Sequence, residues 1–168
     1  MRRSRSILAA TLVPCGTLLV HGGPVVRQHE DPPPYQITAL RAYLYFNQKD
    51  SLSPNLIDNP SVGDLFNTDI GAGWARSPSD EVVMTVEIAG KPGSYASGRK
   101  VVLKVTKKDG TILVNRGPDI GLIGDNGKYF KTFLLYQTGC DPVHIRAELL
   151  GQPIPSVVEK DIPFFCGE

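Results

Sequence analysis

Hydrophobic residues recur at every second position along several short stretches of the chain. The stretches 40–46, 82–88 and 101–106 place apolar side chains at alternate positions, with mostly polar or aromatic side chains between them. This period of two is typical of a β-strand that buries one face and exposes the other. Further strands are predicted by three apolar-rich stretches, at 129–136, 143–150 and 157–165.

Turn-forming residues separate these stretches. Asp109-Gly110 lies between the stretch 101–106 and a short alternating stretch at 111–115, which is the pattern of a tight β-hairpin. A second turn at 124–127 links the apolar residues 120–123 to the stretch 129–136, and a Gly- and Pro-containing loop at 151–156 joins the last two strands. The chain is therefore read as a series of short strands joined by turns.

Seven or eight such strands predict an all-β fold. We expect an antiparallel β-sandwich resembling the immunoglobulin class over residues 35–168, since no helical stripe of apolar residues interrupts the strands there. The resemblance is architectural, because the Cys–Trp–Cys spacing and the tyrosine corner of true immunoglobulin domains are missing.

The N-terminus has the layout of a secretory signal peptide. Three arginines precede a mostly apolar run at 7–20, after which the chain becomes small and polar. The predicted signal peptide is 1–22, followed by a Pro-rich linker at 23–34. Lipid attachment at Cys15 is a minor alternative, because Pro14 stands where a small residue is expected.

Cleavage after residue 22 would change both the charge and the cysteine count. The chain would lose three arginines and no acidic residue, so its formal net charge would fall from +1 to −2. It would also lose Cys15 and keep Cys140 and Cys166, an even pair that is expected to form a disulfide in an oxidising compartment. We therefore expect a secreted or periplasmic protein.

The composition argues against two kinds of partner. The formal net charge of the 168-residue chain is close to zero, whereas nucleic-acid-binding domains usually carry a strongly basic surface. The chain also lacks a run of about 18 apolar residues long enough to cross a bilayer. We predict no nucleic-acid partner and no transmembrane segment in the mature chain.

Residues for familiar catalytic or metal chemistry are scarce. His144 is the single histidine of the predicted domain, and its position in the alternation favours an exposed or inter-strand side chain over a catalytic base. Asp109, Asp125 and Asn126 are oxygen donors, but they stand where hairpin turns require Asp and Asn. We assign no catalytic residue, metal or cofactor, and an enzyme is the less favoured interpretation.

A ligand site is predicted in the non-alternating segment 47–80. Asn67, Thr68, Asp69 and Trp74 combine polar side chains with the sole tryptophan of the chain, a set able to stack on and hydrogen-bond a sugar or a peptide. Trp74 capping the core is the competing interpretation. A short helix around 61–66 or a short strand near 65–70 is expected in this segment.

Tyr43 and Tyr45, on the polar side of the first strand beside Arg41, are added to the candidate binding residues. A solvated face is the competing interpretation of these positions. The leading hypothesis is an exported, non-enzymatic β-sandwich that acts as a binding or assembly module, with a protein or carbohydrate ligand. The alternative is a small extracytoplasmic hydrolase of the glycosidase type, whose acid pair would be defined by spatial separation and not by a sequence motif.

Overall fold

The computed structural model describes residues 35–60, 64–66, 78–79, 81–136 and 138–167, with the backbone alone at 64–66 and 165–167. These residues form ten β-strands and no α-helix, so the all-β prediction is confirmed for this part of the chain. The strands are β1 (Gln36–Phe46), β2 (Ser51–Leu52), β3 (Asp64–Phe66), β4 (Glu81–Ala89), β5 (Lys100–Lys107), β6 (Ile112–Arg116), β7 (Lys128–Tyr136), β8 (Val143–Leu150), β9 (Ser156–Ile162) and β10 (Phe165–Gly167).

The strands form two four-stranded antiparallel sheets and one small pair. The first sheet has the order β2-β1-β4-β7 and the second has the order β6-β5-β8-β9. The pair consists of β3 and β10, which run parallel. The neighbours β4 and β7 are far apart in the chain, because the strands between them, β5 and β6, belong to the second sheet.

One hydrophobic core lies between the two sheets. Alternate residues of β1, β4, β5 and β8 point into it, as the period of two predicts. Each large apolar side chain buried there contributes roughly 1.5–3 kcal/mol to folding. Its largest fully buried members are Phe46, Phe164, Leu44, Leu56, Met84, Ile88, Leu103, Ile120, Ile123, Leu135, Ile145 and Leu149. The structure thus has a sandwich-like fold.

The predicted hairpin between β5 and β6 is confirmed. Gly110 adopts a φ of 89°, and its amide donates to the carbonyl oxygen of Lys107 at 2.9 Å. The apolar residues before the turn at 124–127 do not form a strand of a sheet. Ile120 and Ile123 enter the core while Leu122 stays exposed and makes an isolated bridge to Tyr95.

The last hairpin is also confirmed, with a difference at its open end. β8 pairs with β9 from Val143↔Ile162 to Leu149↔Ser156. Beyond Ile162 the chain leaves this hairpin, because β10 pairs with β3 instead. Cys140 lies in the turn before β8 and is exposed, whereas the side chain of Cys166 is outside the described residues. The Cys140–Cys166 disulfide stays a prediction.

The segment 47–80 is described in part. It contributes β2, the fully buried Leu56 and β3. The short helix expected around 61–66 is wrong for residues 64–66, because they form a strand against β10. The predicted signal peptide at 1–22 and the linker at 23–34 lie outside the described residues.

Candidate functional site

The first sheet has an outer face that points away from the core and carries aromatic and aliphatic side chains. The register of β1, β4 and β7 places Tyr43, Val83 and Leu134 in one row across the sheet. The next row consists of Tyr45, Glu81 and Tyr136. Tyr43, Tyr45, Val83, Phe130, Leu134 and Tyr136 are called the outer face below.

The side chains on β7 are the most exposed members of the outer face. Phe130, Leu134 and Tyr136 are 50%, 41% and 53% exposed, and Tyr43, Tyr45 and Val83 are half-buried. Single exposed apolar residues are ordinary on a protein surface, whereas a contiguous group across three strands is typical of an interaction site. The register makes the five outer-face residues of the two rows neighbours, whereas Arg41, Thr85 and Thr132 form a row that separates them from Phe130.

A buried carboxylate lies at one end of the outer face. Glu87 is opposite Phe130 in the register, and its side chain is only 7% exposed. Lys128 Nζ lies 2.7 Å from Glu87 Oε1, Arg41 donates to Oε2 at 2.8 Å, and the Thr38 hydroxyl donates to Oε1 at 3.2 Å. Burial of a carboxylate is tolerated when it is paired in this way.

These partners change the acidity of Glu87. Hydrogen bonds from Lys128, and next from Arg41, favour the charged carboxylate and lower its pKa from 4.5 to about 2, although burial acts in the opposite direction. The pKa of Arg41 is raised by the same contact. Glu87 is therefore an ionised structural anchor, and it orients two cations at the border of the outer face.

Tyr45 marks the opposite end of the outer face. Its hydroxyl donates to Asp50 Oδ1 at 2.9 Å, and this hydrogen bond raises the pKa of Tyr45 because it favours the neutral phenol. Asn47 donates to Glu81 Oε1 at 3.4 Å beside it. The hydrogen bond to Asp50 thus orients the side chain of Tyr45, and Asn47 and Glu81 are polar groups beside it.

The structure brings together some of the predicted ligand-binding residues. Tyr43 and Tyr45 lie on the outer face, as the alternation of β1 predicts. Asn67, Thr68, Asp69 and Trp74 lie outside the described residues, so their part in a site stays a prediction.

Sequence reasoning missed Phe130, Leu134 and Tyr136. The sequence of β7, KYFKTFLLY, contains a signal for them, because apolar or aromatic residues occur at both its odd-numbered and its even-numbered positions. Phe133 and Leu135 enter the core, while the alternate residues point outward. A strand with apolar side chains on both faces needs a second covering surface or a partner.

His144 has a structural neighbour. Its Nδ1 lies 2.8 Å from Asp161 Oδ1, on the adjacent strand of the second sheet, and both side chains are exposed. An adjoining groove of about 280 Å³ is lined by residues that carry neither a hydroxyl nor a thiol. His144 thus has the inter-strand position predicted for it, without a nucleophile among the residues of that groove.

Two carboxylates share another shallow groove. Asp109 and Asp141 both line it, and Lys107 Nζ lies 2.6 Å from Asp141 Oδ2. The Thr111 backbone amide donates to Asp109 and lowers the pKa of that carboxyl. A glycosidase needs a general acid with a raised pKa, so Asp109 does not fit that role.

Two of the three oxygen donors at the hairpin turns form hydrogen bonds within their own turns. Asp109 Oδ1 accepts from the Thr111 amide at 2.9 Å, and Asn126 Oδ1 accepts from the Lys128 amide at 3.0 Å. In the described part of the chain, no three His, Cys, Asp or Glu side chains are grouped closely enough to hold a metal ion. Within the same residues, no helix is long and apolar enough to span a membrane.

Comparisons with known proteins leave the chain without a family. No protein-family model and no curated protein matches it. Among solved structures, a similar chain is described as a β-galactosidase from Bacteroides fragilis, at 12% sequence identity and a TM-score of 0.35. The match covers 48% of this chain and 13% of that chain. A likeness of this size carries no functional argument, and the candidate site therefore rests on the outer face itself.

Proposed function

We propose that the protein is an exported, non-enzymatic binding or assembly module that recognises a partner through the outer face of its first sheet. The observation that carries this proposal is the row Tyr43–Val83–Leu134, with Tyr45 and Tyr136 in the next row of the sheet. Aromatic side chains are enriched at the centres of protein interfaces, where they bury large areas at a small cost in conformational entropy.

The polar border of the outer face supports a protein partner. Arg41 and Lys128 are held at one end by Glu87, and Tyr45 and Asp50 lie at the other. An apolar centre with a charged rim is the usual arrangement of a protein–protein interface. The described grooves supply no matched acid and base, so the hydrolase alternative has no comparable support.

The strand order supports an immunoglobulin-like class for the fold. Seven longer strands occur in the described part of the chain, and the first, second and fifth of them (β1, β4 and β7) share the first sheet. The third, sixth and seventh (β5, β8 and β9) share the second sheet, as strands C, F and G do in immunoglobulin domains. The fourth, β6, pairs with β5, the position that strand C′ takes in that class.

Export is proposed from the N-terminal sequence and the cysteines. The arginine-rich start and the apolar run at 7–20 favour a signal peptide. Cleavage after residue 22 would leave Cys140 and Cys166, an even pair that is expected to form a disulfide in an oxidising compartment.

Partner capture with matched variants tests the binding role. Leu134 on the outer face and Leu150 on β8 are both 41% exposed, so Leu134→Lys and Leu150→Lys place the same charge at equally exposed sites on different sheets. The full-length tagged protein is produced in its own host, crosslinked and analysed by mass spectrometry. We expect a partner that the wild type and Leu150→Lys retain and that Leu134→Lys loses. An identical set of partners for all three proteins would refute a role for the outer face.

A further inference from the structure

The strand β7 forms an edge of the first sheet in the described part of the chain. β4 is its neighbour on one side, and no described strand pairs with the other side. Nine residues without proline or glycine make up this edge. Long edges of this kind present rows of unpaired backbone amides and carbonyls that can accept an additional strand.

A groove of about 680 Å³ runs along the same edge. Thr132, Leu134 and Tyr136 line it from the outward side of the strand, and Lys131 and Phe133 line it from the opposite side. Arg116, at the end of β6 in the second sheet, completes the wall. The groove therefore borders both faces of β7, as the space for an added strand would.

The two sides of the groove have different chemistry. Leu134 and Tyr136 are apolar or aromatic and exposed, whereas Arg116 and Lys131 are cations. Among the described residues, neither cation forms an ion pair with a carboxylate. A second copy of β7 would add further cations to this groove, which disfavours pairing between two copies.

We infer that β7 accepts an extended segment of another protein in which acidic residues alternate with apolar ones. Successive side chains of an added strand point to opposite faces, so the apolar set would lie beside Leu134 and Tyr136. The acidic set would then meet Arg116 and Lys131. The part of β7 that lines the groove, from Lys131 to Tyr136, spans about 17 Å at about 3.3 Å per residue. This inference rests on the proposed binding function and names its partner class.

A peptide of defined pattern tests the inference. The probe is a fluorescein-labelled nonapeptide in which glutamate alternates with valine, and fluorescence anisotropy measures its binding to the full-length protein at low ionic strength. Arg116→Glu combined with Lys131→Glu is expected to weaken binding at least about tenfold, because two attractive charges become repulsive. The same variant is expected to prefer a peptide with lysine in place of glutamate.

The matched control reverses two exposed lysines of the second sheet. Lys104→Glu combined with Lys160→Glu makes the same change in net charge and is expected to leave the affinity within about twofold of wild type. Thermal unfolding of each variant confirms that it is folded. Hydrogen exchange is expected to slow at alternate amides of 129–136 when the peptide binds, which reports backbone pairing.

Three results would overturn the inference. One is equal affinity for a peptide of the same composition with its glutamates in one block. Another is unchanged binding after charge reversal at Arg116 and Lys131, and the third is no binding of the alternating peptide at millimolar concentration. If the peptide fails while Leu134→Lys still loses a captured partner, the proposed function stands and the strand addition is wrong.

Discussion

Replacement of Glu87 by Gln is expected to lower the free energy of unfolding at neutral pH. It is also expected to remove the contribution of Glu87 to the pH dependence of that free energy. The side chain of Glu87 is 7% exposed and is held by Lys128, Arg41 and Thr38. Glutamine keeps the shape of the side chain but removes the charge that these partners stabilise. Arg41 and Lys128 would then lose the carboxylate that holds them at the border of the outer face.

The expected loss of stability in Glu87→Gln follows from the shift in the pKa of Glu87. A fall of the Glu87 pKa from 4.5 to about 2 corresponds to about 3.4 kcal/mol of free energy linked to its ionisation. Arg41 and Lys128 are 36% and 47% exposed, so solvent screens their charges and reduces the expected contribution to about 2 kcal/mol. Because the folded-state pKa is depressed, this stability is present above pH 4.5 and is lost as the pH falls towards 2.

Urea unfolding of the full-length wild type and Glu87→Gln, at several values between pH 7 and pH 2, measures this difference. Glu87→Gln is expected to be about 2 kcal/mol less stable at pH 7 and to approach the wild type at the acidic end. Glu159→Gln is the matched control, since Glu159 is ion-paired with Arg146 but 47% exposed, and a change below about 0.5 kcal/mol is expected. Parallel pH profiles for wild type and Glu87→Gln would refute the reasoning.

Two more perturbations test the turns and the cysteines. Cys140→Ser is expected to lower the free energy of unfolding by about 3.5 kcal/mol if a bridge to Cys166 closes the loop between them, and an unchanged denaturation midpoint would reject that bridge. Gly151→Ala is expected to cost more than about 2 kcal/mol, because φ is 86° and the added Cβ would overlap the carbonyl oxygen of Gly98. Gly139→Ala, at a φ of 60° with open space around it, is the control and is expected to cost about 1 kcal/mol in the same urea assay.

The alternation of residues along the chain was enough to predict most of the strands. β1, β4, β5 and β8 bury the alternate residues that the pattern indicates, because the period of two is a local property of an extended backbone. The turn at Gly110 was predictable for a similar reason, since its positive φ strongly favours glycine. Tyr43 and Tyr45 were placed on the outward side of β1 by the same alternation.

Which strands become neighbours was decided only by the tertiary structure. β4 pairs with β1 and β7, both separated from it in the chain by long stretches, so Leu134 and Tyr136 join Tyr43 and Tyr45 only after folding. The sequence of β7 shows apolar residues on both faces but contains nothing about which face the second sheet covers. Glu87 is a further case, since it occupies a polar position of β4 and is buried because Lys128 and Arg41 converge on it. Local periodicity thus determined the elements of this protein, while contacts between distant residues determined its surface, because strand pairing depends on the whole chain.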